Sequence, residues 1–203
     1  MAIPTYCPQC GSVLGTRMEG GRERPACSTE GCGYFHFGDS SIGCGGVVFR
    51  DGKALLIQRG IEPGRGSWQI PGGYVEVDET IDAAAEREVL EEAGITARVT
   101  DVVGFRHAAG TNPERPANLY VVFRLDAISG EPQADGQETM DAGFFSMEEI
   151  AGMEKVQTLS VWAINQARSN EPGSGFVSHH GDFQIRPGWS IVGLGPTTEG
   201  EEQ

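Results

Sequence analysis

The sequence predicts a layered α/β fold with a small cysteine-bearing module ahead of it. Three observations carry that prediction. Short apolar runs recur along most of the chain, and a long stretch at 80–93, free of Gly and Pro, interrupts them. Four of the five cysteines lie within the first 32 residues. At Ile42 the glycine- and turn-rich texture gives way to apolar segments. Strands mixed with helices call for packed layers around one core.

Taken in order, residues 1–40 read as a turn-rich module. The apolar runs 46–49 and 54–57 are split by Arg50-Asp51-Gly52-Lys53, and Asp-Gly between such runs predicts a β-hairpin. Residues 67–71 form a short strand. Residues 80–93 form a helix with Thr80 as N-cap, Asp82 in the first turn and Gly94 just past the end. Strands follow at 96–106 and 118–127, with a short one at 142–146. A second helix occupies 156–168. Residues 170–175 read as a linker, and 199–203 as a disordered tail. There is no internal repeat. The predicted division is 1–40, 41–170 and a partly disordered extension at 171–203.

The 203 residues suit one medium domain or one domain with a small module. Lys and Arg number 15 against 29 Asp and Glu, a net charge of −14. That balance argues against long nucleic acid and anionic membrane surfaces as partners, because Lys and Arg hold phosphate backbones. A small anionic substrate remains compatible if cations neutralise its site. No apolar run approaches the roughly 18–20 residues of a membrane span. The N-terminus has neither a basic region nor an apolar stretch, so a secretory signal is not expected. An odd cysteine count, clustered and without such a signal, points to a metal site in the reducing cytoplasm rather than to disulfides.

Cys7-Pro8-Gln9-Cys10 is followed, after sixteen residues, by Cys27 and then Cys32. Two thiolate pairs on two turns can close a tetrahedral Zn²⁺ shell, and four ligands leave no open position, so the role is structural. Gly11 and Gly33 follow the second cysteine of each pair and let the turn aim N–H groups at sulfur. Cys44, at a strand entry, reads as a small buried residue.

The chemistry lies in the first helix. At about 100° per residue, Glu91 and Glu92 stand roughly −60° and +40° from Glu88. Three carboxylates therefore share about a third of the surface, and each like-charge pair weakens a helix by a few tenths of a kcal/mol, roughly. A hard divalent cation with oxygen ligands offsets this repulsion. Arg87 is four residues before Glu91, can orient it, and is counted with Glu92 and Glu138 among the catalytic candidates. Ala84 and Ala85 leave room on the preceding turn. Pro71-Gly72-Gly73 supplies backbone without Cβ atoms, able to approach a ligand. Glu79, nine residues before Glu88, is assigned a bracing role.

These residues resemble the Nudix box at every defined position: Gly73, Glu79, Arg87-Glu88, Val89, Glu91-Glu92, Gly94 and Ile95. The likeness extends over roughly 42–168. It implies an α/β/α sandwich with a mixed sheet, here preceded by a zinc ribbon, and hydrolysis of a nucleoside diphosphate linked to another moiety. It further implies that Glu88, Glu91, Glu92 and the Gly73 carbonyl hold Mg²⁺ or Mn²⁺. Such ions neutralise the diphosphate, orient it and lower the pKa of a bound water. A carboxylate then takes the water proton, and Glu92 and Glu138 are the candidates, Glu138 lying in a stretch similar to one that follows the box in many Nudix enzymes.

The ribbon with the box resembles zinc-ribbon Nudix hydrolases. The Ser-Gln-Pro-Trp-Pro-Phe-Pro signature of the NADH group is absent from residues 104–113, and the coenzyme A signature is missing before the box. The ADP-ribose group carries a proline about fifteen residues after the box, whereas position 110 is Gly. The ribbon, residues 66–74 and Ile185-Arg186-Pro187-Gly188 resemble the ADP-ribose/FAD group. Arg59, Phe105 and Arg106 are candidate substrate contacts. Phe105 can stack on a base, and Arg106 with His107 can meet a distal phosphate or ribose. His179, His180 and Asp182 read as exposed loop residues rather than a second metal site. Alternatives are a pyrophosphohydrolase of NADH or nucleoside triphosphates, and a catalytically silent Nudix ligand sensor. The presence of all three box glutamates speaks against the sensor. Related enzymes are often dimers, which implies a possible homodimer.

Overall fold

The computed structural model describes residues 4–110, 116–173, 175–178 and 192–194. In chain order the elements are β1 (Leu14–Glu19), β2 (Arg22–Cys27), β3 (Ser40–Arg50), β4 (Lys53–Arg59), β5 (Trp68–Gln69), α1 (Ile81–Ala93), β6 (Thr96–Ala108), β7 (Ala117–Ser129), β8 (Thr139–Phe145), α2 (Met147–Gly152), α3 (Thr158–Ser169), β9 (Phe176–Ser178) and β10 (Val192–Leu194). They form two compact units. One runs through Ser41 and takes in residues 107–119; the other comprises 42–106 and the chain from Tyr120 onward.

The first unit is built on the antiparallel hairpin β1–β2, paired from Leu14↔Cys27 to Glu19↔Arg22. Its turn is Gly20-Gly21, both with positive φ. Tyr6 pairs with Val13 and Ala26 with Phe35, which brings the two cysteine turns to the same end of the hairpin. The Arg17 guanidinium lies 4.5 Å above the Phe35 ring.

In the second unit the sheet order is β10-β9-β6-β7-β3-β4-β5, with β8 on β4. β8 runs along one edge of β4 from Ala54↔Phe145 to Arg59↔Thr139, so β3 and β5 share the other edge. The predicted hairpin is present as β3–β4, turning at Asp51 and Gly52 with φ of 51° and 74°. Alternation sorts the apolar runs onto two faces. Val48, Leu55, Ile57 and Phe123 pack with Ala84, Ala85, Val89 and Ala93 of α1. Val47, Leu56 and Val122 pack with Ile150 of α2 and with Ala163, Ile164 and Ala167 of α3. Both faces are covered, giving the α/β/α sandwich, and this is why the strands read as continuous apolar runs.

Several elements differ in detail from the sequence reading. Thr80 occupies the N-cap of α1, but its side chain makes no capping bond. Gly94 ends the helix at φ 68°, its N–H donating to Leu90 O. Helix α2, absent from the sequence reading, carries a capping box. Ser146 Oγ accepts the Glu149 N–H, and Glu149 Oε2 accepts the Ser146 N–H. Helix α3 starts at Thr158 rather than 156, because Val156 is extended beside Trp68 and the Gln157 N–H donates to Trp68 O. The segment read as a linker is pinned. The Gly173 N–H donates to Asp101, and Arg124 Nη2 donates to Ala167 O and Asn170 O. Beyond it Phe176 pairs with Val102, so the main sheet continues past the predicted boundary at 171. Residues 199–203 lie outside the described residues. No helix among the described residues is long and apolar enough to cross a membrane.

The approach of α1 to the sheet depends on Gly46. A Cβ there would lie 2.7 Å from Val89 Cγ2 and 2.8 Å from Leu125 Cδ1. Gly46→Ala is expected to cost about 1–3 kcal/mol through overpacking, read as a lower urea midpoint at unchanged slope.

Candidate functional site

The site begins with a stretch of backbone laid along β3. The Gly46 N–H donates to Pro71 O, the Cys44 N–H to Gly73 O at 2.9 Å, and the Val75 N–H to Ile42 O. Gly72 has φ 153°, and a Cβ there would collide with the Cys44 carbonyl, so no other residue fits. Its N–H turns to Glu92 Oε2 at 2.7 Å. At Gly73 a Cβ would lie 2.6 Å from Glu88 Oε1. The two glycines thus let the carboxylates of α1 rest directly on main chain. The Gly73 carbonyl spends one lone pair on Cys44 and retains a second.

Arg87 is the hub of the cluster. Its Nε and Nη2 grip Glu79 at 2.9 and 2.6 Å. Nη1 donates to Glu88 Oε1 at 2.8 Å and to Glu91 Oε2 at 2.9 Å, and Nη2 also reaches Tyr74 O. Glu79 in turn accepts the Glu76 N–H, so it braces the loop against the helix. The hydrogen bonds from Arg87 hold the Glu79 carboxyl below the usual range. Burial pushes Glu88 up despite Arg87 beside it. Glu92, only 6% exposed, is pushed up to about 8 by burial, with Glu88 and Glu138 adding and the Gly72 N–H opposing.

These groups line a cleft of about 710 Å³. Arg59, Gly73, Arg87, Glu88, Glu91, Glu92 and Glu138 all border it, as do Glu76, Asp135 and Gln137. Six carboxylates therefore face two guanidinium groups, one of them committed to Glu79, Glu88 and Glu91. An oxygen-rich, charge-deficient cleft suits hard divalent cations. Arg59 stands at the end of β4 with its Nε on Pro63 O. Asp135 had no role in the sequence reading. A Cβ at Gly43 would lie 2.8 Å from Tyr120 Cδ2, and one at Gly72 would lie 2.6 Å from the Tyr120 hydroxyl oxygen. Tyr120 thus backs the glycine loop, and burial raises its phenol, with Cys44, Glu92 and Glu88 adding. The Gly-rich run 43–46 was the available signal.

Two predicted contacts are not among the residues lining this cleft. Phe105, 64% exposed, lines a separate groove of about 380 Å³ with Trp162 and Phe176. The Arg106 guanidinium lies 5.4 Å above the Tyr120 ring. Cys44 is fully buried and its thiol is pushed up to about 12 by burial and by Glu88, as suits an inert side chain. His179, His180, Asp182 and residues 185–188 lie outside the described residues.

In the hairpin unit, Cys7, Cys10, Cys27 and Cys32 place their sulfurs within 4.8 Å of one another. The Cys7–Cys32 and Cys10–Cys27 pairs are 3.5 Å apart. A tetrahedral centre with metal–sulfur bonds of about 2.3 Å sets sulfurs about 3.8 Å apart, so the donor set fits. Among the described residues, this is the one group of three or more Cys, His, Asp or Glu donors that converges so tightly. The glutamates of α1 instead spread onto Arg87 and Gly72.

The NUDIX domain profile matches residues 41–163. An ADP-ribose pyrophosphatase from Methanocaldococcus jannaschii is 34% identical over 117 residues, 58% of this chain and 66% of that protein. A NAD-capped RNA hydrolase NudC from Vibrio cholerae is 29% identical over 162 residues, 79% of this chain and 56% of that protein. The chain thus spans less than two thirds of the length of these relatives. A NUDIX hydrolase structure from Nitrosomonas europaea shares the fold, with a TM-score of 0.67 at 24% identity over 83% of this chain and 95% of that one. With the domain profile covering more than half of its residues, the chain belongs to the NUDIX family.

Proposed function

We propose that this protein hydrolyses, with divalent cations, the diphosphate bond of a nucleoside diphosphate linked to a second moiety such as that of ADP-ribose or FAD. The products are a nucleoside monophosphate and a phosphorylated second fragment. The observation that carries this reading is the cleft in which Glu88, Glu91, Glu92 and Glu138 face Arg59 across an excess of negative charge. Glu88, Glu91 and Glu92, with the free lone pair of the Gly73 carbonyl, hold Mg²⁺ or Mn²⁺. When bound, the ions neutralise the diphosphate oxygens and acidify water.

The protein's own groups then divide the work. Glu138 stands on an exposed loop and takes the proton of the attacking water. Glu92 is the second candidate, but it is buried and one oxygen is tied to Gly72. Arg59 meets the phosphate chain. Arg87, fully engaged by glutamates and the Tyr74 carbonyl, positions the metal-holding groups and is not itself catalytic. Cys7, Cys10, Cys27 and Cys32 hold a structural Zn²⁺, which requires them reduced and suits the cytoplasm.

A second reading takes NAD-type dinucleotides, including those at RNA ends, as substrates. It rests on the NAD-capped RNA hydrolase relative, whose alignment covers 79% of this chain. A panel of ADP-ribose, FAD, NADH and capped dinucleotides with Mg²⁺ or Mn²⁺, with products identified by mass, separates the two.

Each group has its own expected outcome. Glu88→Gln abolishes turnover without changing the circular dichroism, while Glu138→Gln lowers kcat by about 10²–10⁴ and leaves Mn²⁺ binding in place. Arg87→Lys, lacking the fork that joins Glu79 to Glu88 and Glu91, weakens Mn²⁺ binding by about 10–100-fold in calorimetry. Elemental analysis finds about one zinc per chain, and Cys27→Ser removes it and unfolds the hairpin unit alone.

A further inference from the structure

Glu138 reaches the cleft from residues 135–138, which belong to no helix or strand. One side chain organises them. Asp135 Oδ1 accepts the N–H groups of Gln137, Glu138 and Thr139 at 2.9, 3.0 and 2.8 Å, and the Thr139 hydroxyl lies 2.9 Å away. The Asp135 N–H donates to Thr139 Oγ1, and the Gly136 N–H to Thr139 O. Two further bonds tie this loop to its surroundings. The Gly60 N–H donates to Glu138 O at 2.6 Å. Thr139 Oγ1, in a residue 1% exposed, lies 3.1 Å from the carbonyl oxygen of Glu92. The hydroxyl has one proton, which it gives either to Asp135 or to Glu92 O.

We propose that Asp135 is a positioning residue: its carboxylate holds three consecutive N–H groups and so fixes the backbone from which Glu138 meets the carboxylates of α1. The inference rests on the reading of Glu138 as proton acceptor. Three donors converging on one oxygen call for an ionised acceptor, whose bonds are roughly twice as strong as neutral ones. An asparagine offers a weaker oxygen and turns an NH₂ group toward the Glu138 N–H. Asp135 lines the cleft, yet its hydrogen bonds are directed into its own loop rather than across to α1.

A misplaced base costs rate rather than affinity. Asp135→Ala is expected to lower kcat by up to about 10²-fold at nearly unchanged KM, with Asp135→Asn intermediate. Amide hydrogen exchange at 137–139 quickens, while Mn²⁺ affinity and melting temperature stay close to those of the parent. In a Glu138→Gln background, Asp135→Ala costs no more than about a further twofold. A loss in that background as large as in the parent, or unchanged exchange at 137–139, overturns the positioning role alone. Glu138→Gln at parental kcat overturns the reading of Glu138 and the positioning role with it.

Discussion

The constraint on which the site depends is the crowding of like charge on one turn of α1. Glu88, Glu91 and Glu92 cannot stand together on helix propensity: burial disfavours the charged forms of Glu88 and Glu92, with the Glu91 charge adding at Glu88 and the Glu88 charge adding at Glu92. Arg87 answers part of this, joining Glu88 and Glu91 through one nitrogen and Glu79 through the other side of its fork. Main chain answers another part, with the Gly72 N–H on Glu92. What remains is a cleft with more carboxylates than counter-charges, an arrangement that suits hard divalent cations. A lysine at 87 would neutralise as much charge but could not span the three carboxylates in one plane.

Holding main chain that close to the helix is the work of β3. The segment 71–75 is laid along it by hydrogen bonds from Cys44, Gly46 and Val75, and Gly46 lets Val89 approach. Tyr120 fills the space that Gly43, Gly45 and Gly72 leave open. A side chain at any of these positions would collide with the ring or with main chain, so the glycine run is a packing requirement.

What was legible in the sequence was local. The ends of α1, the Asp51-Gly52 turn and the paired cysteines each carry their signal within a few residues. The capping box of α2 was equally local, as Ser146 and Glu149 stand at the required spacing. The start of α3 was not, because Val156 is drawn into extended form by Trp68, 88 residues earlier. The return of Phe176 to Val102 is likewise long-range. Phe105 follows from alternation: Val103 packs on the α3 face, and Phe105, two residues on, shares it, away from the face that α1 covers. Asp135 could not be found by composition, since its role consists of bonds to backbone.

The same alternation explains how the loop of Glu138 is locked to α1. β4 and β8 pair residue for residue as far as Gln58↔Asp141, and then Arg59 pairs with Thr139, passing over Met140. This bulge changes the parity of β8. Arg59 falls by alternation on the face of Leu55 and Ile57, which is the face of α1. Directly opposed residues share a face, so Thr139 is turned toward α1, where its hydroxyl meets the Glu92 carbonyl. In an unbroken ladder Met140 would stand there, and Thr139 would face the other layer with nothing to link Asp135 to the helix. One skipped residue thus sets Arg59, the loop of Glu138 and the buried end of Glu92 into a single register.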